Sequence, residues 1–172
     1  MSFTMVRIGE LAVSTAAGHV LSSIGLGSCI GLALVDCATG AAGLAHIMLP
    51  SSDGGRGEAG AAKYADTGVP ALVERMVALG SSRRALEAVI AGGAQMFAFE
   101  GRGAALEIGR RNAEAVQAQL ARAGIPLRAA ATGGSKGRTI RVTAGELSVT
   151  VREAGRPEEA LYAPRATAVA AR

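Results

Sequence analysis

The sequence predicts an α+β fold built in layers. Apolar segments of strand length crowd both ends of the chain, two longer stretches between them repeat at helical spacing, and strands and helices do not alternate one for one. At 172 residues the chain is sized for one domain with a real core. Apolar residues make up 49% of it, aromatics only 3%, and Trp is absent, so the expected core is one of small aliphatic side chains.

Taken in order, Val6 to Ser14 alternates loosely and reads as a first strand, interrupted near Gly9-Glu10. His19 to Ile24 reads as a second and leads into the loop Gly25-Leu-Gly27. Two apolar runs follow, Ile30 to Asp36 and Ala41 to Met48, joined by Cys37-Ala-Thr-Gly40. Such a pair with a glycine-containing connection predicts a β-hairpin. Leu49 to Gly57 carries every turn signal. Ala61 to Leu79 has a helical stripe (Val69, Leu72, Val73, Met76, Val77) stopped by Gly80, with Pro70 as an expected kink or break. Leu86 to Ala91 is a buried-strand candidate, and Ala94 to Phe99 is ambiguous between strand and turn. Ile108 to Ala123 is the second helix, with Ile108, Ala115, Val116 and Leu120 inward and Gly124-Ile-Pro126 as its stop. Leu127 to Thr132 is a strand, and Thr139–Thr143 with Glu146–Glu153 a hairpin around Ala144-Gly145. The count is about eight strands and two helices, in a domain over residues 1–155. The Ala-, Arg- and Pro-rich stretch 156–172 is expected to be a loosely ordered tail.

The first hairpin makes a geometric prediction. With Ala38 and Thr39 as the loop, Cys37 pairs with Gly40 and His46 falls opposite Gly31. Side chains alternate with period two, so Cys29, Gly31 and His46 share a face. Gly31, Ala33 and Ala42 on that face are small and are expected to leave room above the pair. Ile30, Leu32, Leu34 and Ile47 on the other face suit a core.

A thiol nucleophile needs a base in hydrogen-bond reach and donors for an oxyanion. Cys29 follows glycines, His46 could take its proton, and Ser22, Ser23 and Ser28 are the hydroxyls at hand to orient the imidazole. On spacing alone, a cysteine in an apolar strand is more often a small buried hydrophobe. Cys37 and His19 show no partners. No CxxC, HxxH or HExxH spacing offers a metal site, and the glycine-rich loops fit neither GxGxxG nor GxxxxGK. The net charge of +4 comes without a dense basic run and with few aromatics, which argues against nucleic-acid binding. No apolar run is long enough to span a bilayer and no secretory signal is evident, so the expected compartment is the cytoplasm, with both cysteines as free thiols.

Several blocks together resemble one family. Gly25-Leu-Gly-Ser-Cys29, Ala45-His-Ile-Met-Leu-Pro50, Lys63-Tyr-Ala-Asp66, Ala91-Gly-Gly-Ala94, Ile108-Gly-Arg-Arg-Asn112 and Thr132-Gly-Gly134 occur in the order seen in the chemoreceptor glutamine deamidases, the CheD family. The resemblance spans about residues 5–153. It implies a three-layer α/β sandwich with mostly antiparallel sheets, related to the cysteine deamidase toxins. It places the family's nucleophile on Cys29 and its histidine on His46. The third residue, a threonine in the family, falls on Ser23, which keeps the hydroxyl without the methyl that restricts its rotamers. Where the stretch before Gly133 commonly carries an acidic residue in the family, this chain has Ala131. Gly27 and Ser28 belong to the loop implied to hold the oxyanion and substrate. The implied reaction converts receptor glutamine to glutamate with release of ammonia, through a thioester and without a cofactor, and extends to receptor methyl esters. The implied partners are the cytoplasmic domain of methyl-accepting chemotaxis receptors and a CheC-type response-regulator phosphatase. A rival reading makes the chain a non-catalytic regulatory module for the same partners.

Overall fold

The structure, a computed structural model, describes residues 2–53, 60–96 and 107–164. Among these residues two five-stranded sheets pack face to face, and two α-helices cover the outer side of one of them. Sheet I has the order β1 (Phe3–Met5), β3 (Val20–Leu26), β8 (Arg138–Thr143), β9 (Val149–Glu153), β10 (Glu159–Tyr162). Sheet II has the order β2 (Leu11–Ser14), β5 (Ala41–Ile47), β4 (Ile30–Asp36), β6 (Leu86–Gly92), β7 (Leu127–Thr132). Most neighbours are antiparallel; β1 with β3 and β6 with β7 run parallel. The helices are α1 (Ala65–Ala78) and α2 (Ile108–Ala123). The layered α+β expectation is what the chain adopts.

Sheet II sits in the middle, which explains its composition. Every residue of β4 and β5 is buried, because both faces of the hairpin are covered. Ile30, Leu32, Leu34 and Ile47 face the helices and meet Val69, Leu72, Met76, Val116 and Leu120. Ala33, Val35, Ala42 and Leu44 face sheet I and meet Leu21, Leu26, Ile140, Val142 and Val149. The register is the expected one, Gly31 opposite His46 and Asp36 opposite Ala41. The room expected above the small residues is instead filled by sheet I: a Cβ on Gly31 would lie 2.6 Å from Ile140 Cγ2. Small residues are needed there because the two sheets come close.

Other elements depart from expectation for local reasons. Only Leu11–Ser14 of the first predicted strand is a strand in sheet II. Val6 to Glu10 carries the chain from sheet I to sheet II, turning at Gly9 with φ 81°. The first helix begins at Ala65 rather than Ala61, because Lys63 accepts hydrogen bonds from the Met48 and Leu49 amides and Tyr64 bridges to Leu49. Pro70 lies on the exposed side of that helix and does not end it. The buried stripe of α2 runs through Gly109, Asn112, Ala113, Val116 and Leu120, so Ile108 and Ala115 are only half-buried. Gly124, left-handed at φ 70°, closes α2. The second hairpin turns over a longer span than Ala144-Gly145, with Leu147 at φ 59°, so its return strand starts at Val149. The stretch expected as a tail from 156 adds β10 to the edge of sheet I. Residues 94–96 form no strand; Phe97 to Phe99, and most of the loop that ends at Gly57, lie outside the described residues. Among the described residues no helix is long and apolar enough to cross a membrane.

Candidate active site

The site forms where the chain crosses between the sheets. β5 presents His46 toward sheet I, on the same side as Ala42 and Leu44. Cys29 lies two residues before Gly31, the register partner of His46, and its side chain belongs to the same inter-sheet cluster. Ser23 is fully buried on β3, in the facing sheet. Between them runs Val6. Its amide donates to the Ser22 carbonyl, and its own carbonyl oxygen is left to accept from two side chains. His46 Nδ1 lies 3.1 Å from that oxygen and Ser23 Oγ 2.8 Å.

That shared carbonyl fixes the imidazole. A carbonyl can only accept, so the proton sits on Nδ1, and in the neutral ring Nε2 is the lone-pair nitrogen. The backbone locks the strand as well: the His46 amide donates to the Glu10 carbonyl at 3.0 Å, and the Gly9 amide to the His46 carbonyl at 2.9 Å. No hydrogen bond joins the Ser23 hydroxyl to the ring. Ser23 reaches His46 through Val6.

Burial governs the charge state. It pushes the Cys29 thiol above its ordinary value. It pulls His46 below the ordinary imidazole value, against the opposing pulls of the Val6 hydrogen bond and the Glu10 charge. Both directions favour a neutral thiol and a neutral imidazole rather than a preformed ion pair. Both residues are nearly closed to solvent, Cys29 at 9% exposed and His46 at 4%.

The loop before Cys29 is held from two sides. The Ala94 amide donates to the Gly27 carbonyl at 2.8 Å, and the Gly93 amide to the Cys29 carbonyl at 2.9 Å. Met96 lies over Gly27, where a Cβ would stand 3.1 Å from its Cγ. From α2, Asn112 Nδ2 donates to the Ser28 carbonyl at 2.9 Å and to the Met48 carbonyl at 2.8 Å. The blocks around Cys29, His46, Gly92-Gly93 and Asn112 thus converge.

Neither Val6 nor Asn112 was singled out from the sequence. Val6 acts through its backbone, which leaves no residue-type signal. Asn112 did carry one: a polar side chain on the inward stripe of an otherwise amphipathic helix. The second cysteine and histidine lie elsewhere. His19 bridges the hydroxyls of Thr4 and Ser14, each at 2.8 Å. Cys37 is exposed, 4.0 Å from the Tyr162 hydroxyl.

A buried thiol, a histidine of fixed tautomer and a clamped glycine loop come together here, the kinds of group that a cysteine nucleophile would need. Sequence comparison narrows the class. A family model described as CheD chemotactic sensory transduction matches residues 48–153. The chain is 46% identical over 157 residues to a Symbiobacterium thermophilum protein named "Probable chemoreceptor glutamine deamidase CheD", covering 91% of this chain and 95% of that protein. A Desulfitobacterium hafniense protein of the same name is 45% identical over 148 residues, covering 86% and 92%. The "Chemoreceptor glutamine deamidase CheD" of Halalkalibacterium halodurans is 42% identical over 151 residues, covering 86% and 93%. The chain belongs to the CheD family. Among solved structures, a Bacillus licheniformis hypothetical protein, YfiH, aligns with TM-score 0.43 and 15% identity over 73% of this chain and 49% of its own.

Proposed function

We propose that this protein deamidates glutamine side chains of chemoreceptors, with Cys29 as nucleophile, His46 as base and acid, and Ser23 as a positioning residue. The observation that carries this reading is the Val6 carbonyl, which holds His46 Nδ1 and so leaves Nε2 unprotonated on the side of the sheet that Cys29 shares.

His46 Nε2 takes the thiol proton as the sulfur attacks the carboxamide carbon. A C–S bond forms and the carbonyl electron pair moves onto oxygen. His46 returns the proton to the nitrogen, the C–N bond breaks, and ammonia leaves a glutamyl thioester. Water then attacks with His46 again as base, and glutamate and the free thiol are regenerated. A neutral resting pair suits this order, because the proton moves only as the substrate arrives. The same acyl transfer accepts a glutamyl methyl ester, with methanol leaving in place of ammonia. A receptor's cytoplasmic domain as substrate places the reaction in the cytoplasm. A CheC-type phosphatase as second partner, and kinship with the cysteine deamidase toxins, rest on the family resemblance.

The test is mass spectrometry of a receptor cytoplasmic fragment incubated with the wild type and with Cys29→Ala. Conversion of specific glutamines to glutamate by the wild type alone supports the reading. Equal conversion by both removes Cys29 from the chemistry. Binding without conversion in both leaves a regulatory module.

A further inference from the structure

We infer that Asn112 is a positioning residue for the reaction: by gripping the Ser28 carbonyl it aims the Cys29 N–H as the donor that receives the oxyanion. This rests on the acyl-transfer reading above and names how its charged intermediate is held.

The Ser28–Cys29 peptide is trans, as are all the described peptides, so the Ser28 C=O and the Cys29 N–H point in opposite directions from one rigid plane. Whatever fixes the carbonyl also aims the amide. Asn112 fixes it, at 2.9 Å, from a fully buried position on α2. Its second amide hydrogen goes to the Met48 carbonyl at 2.8 Å, two residues past His46. Its own Oδ1 is buried without a hydrogen-bond partner among the described residues. Turned over, the side chain would set that oxygen against two carbonyls, so the amide has one allowed orientation, with both donors directed at the site. An unsatisfied buried acceptor is costly. It is tolerated here beside two donor bonds that no apolar side chain could supply.

On the other side of the peptide plane the Cys29 N–H has no hydrogen-bond partner among the described residues. The Gly93 amide donates to the Cys29 carbonyl, the bond expected as the β4–β6 ladder continues. No return bond reaches the Cys29 N–H among the described residues. Gly92 at φ 114° and Gly93 at φ 64° turn the chain away at that point. The result, among the described residues, is an N–H without a partner on the nucleophile residue itself, held in a fixed direction. When the thiolate attacks, the new C–S bond places the carbonyl oxygen near this amide, and the N–H donates to the charge that develops there.

The experiment separates aim from scaffolding. In a Cys37→Ser background, so that Cys29 is the reactive thiol followed, N112A and N112D are compared with the parent by deamidation kinetics on a receptor cytoplasmic fragment. The pH profile of alkylation by iodoacetamide is measured alongside. Alkylation displaces iodide at sulfur and builds no oxyanion, so it reports the thiol and His46 alone. The expected result is a fall in kcat of roughly 10²-fold, as when one oxyanion donor is lost, with KM and the alkylation profile unchanged. N112D keeps the shape of the side chain but offers at most one donor, and is read in the same way should N112A fail to fold. A parallel fall in alkylation and turnover would make Asn112 a general strut and overturn the inference, as would unchanged turnover. A parent protein that binds the fragment without converting it overturns the proposed function instead.

Discussion

The β4–β5 hairpin carries a cysteine at each end, and the ends are built differently. At the closed end the turn closes on itself, and the longer-range contacts, the Gly145 amide on the Gly40 carbonyl and Tyr162 near Cys37, only cover it from outside. The Asp36 carboxylate accepts from the Ala38 amide at 2.9 Å and the Thr39 hydroxyl at 2.7 Å, and the Gly40 amide closes onto the Asp36 carbonyl at 2.9 Å. At the open end the contacts come from far along the chain: Val6 to His46 across 40 residues, Asn112 to Ser28 across 84. The same residue type is an exposed turn cysteine in one setting and a buried thiol on the same sheet face as a fixed histidine in the other. What distinguishes Cys29 from Cys37 is not its strand but what the rest of the fold brings to it.

The strongest test of that contrast is to remove each thiol. Cys29→Ala is expected to lower kcat on receptor fragments by on the order of 10⁶-fold, as for loss of the nucleophile in other acyl-transfer sites. Cys37→Ser should leave turnover within about twofold, since exposed substitutions away from special features change little. Mass spectrometry of converted glutamines reads both. Comparable losses in the two variants would abolish the distinction.

Glycines at the two ends sharpen it as a stability difference. Gly92 has φ 114°, and a Cβ there would stand 2.1 Å from the Cys29 carbonyl oxygen. Gly40 has φ 78°, but its Cβ would meet nothing nearer than the Gly145 Cα at 3.7 Å. Gly40→Ala thus pays only the left-handed backbone term, about 1–2 kcal/mol. Gly92→Ala adds a backbone clash that must displace the nucleophile loop, for about 3–4 kcal/mol in all. Urea denaturation midpoints at constant slope would rank them, and an equal cost would show that the loop yields freely.

This division also decides how much could be read in the sequence. The hairpin register followed from the apolar runs and a four-residue connection, and it placed Cys29 and His46 on one face. The turn at its closed end is legible, because Asp36, Thr39 and Gly40 close it among themselves. The tether of His46 was not, because Val6 contributes a carbonyl that any residue would have. The space above Gly31 was misjudged because alternation says which face a residue takes, not what packs on it; Ile140 comes from more than a hundred residues downstream. β10 was hidden in a segment whose Pro, Glu and Ala content argues against a strand, and pairing with β9 prevails there.

Each end also carries a buried group that takes up a proton on acidification, His46 at the open end and Asp36 at the closed one, with separate pH windows. Burial lowers His46, so the folded state keeps it neutral while the unfolded chain takes up a proton below about 6.5. Its contribution is complete above that pH and declines as pH falls through the window. Burial pushes Asp36 up, but the Thr39 and Ser81 hydroxyls and the Ala38 and Thr39 amides together outweigh it and the net shift is downward. Its contribution persists above the ordinary carboxylate value of 3.8 and is lost only at lower pH. Stability measured against pH should therefore decline in two steps, with His46→Gln removing the upper and Asp36→Asn the lower. An unchanged upper step in His46→Gln would assign that titration elsewhere.

The smallest expected effect concerns Ser23, and it probes whether the open end works as one unit. Ser23 Oγ donates to the same Val6 oxygen as His46 Nδ1, and being fully buried it has no water to replace that bond. Ser23→Ala leaves the carbonyl with one donor instead of two. The imidazole keeps its tautomer, because its own bond to Val6 is untouched. What changes is how firmly the Val6 carbonyl is held, at a cost of about 1 kcal/mol, equivalent to roughly a fivefold fall in kcat. Ser23→Thr retains the hydroxyl and restricts its rotamers, so it should match or exceed the wild type. A fall in Ser23→Ala as large as that in His46→Gln would mean that the hydroxyl takes part in the proton transfer itself. An unchanged kcat would mean that the His46 bond alone holds the carbonyl in place.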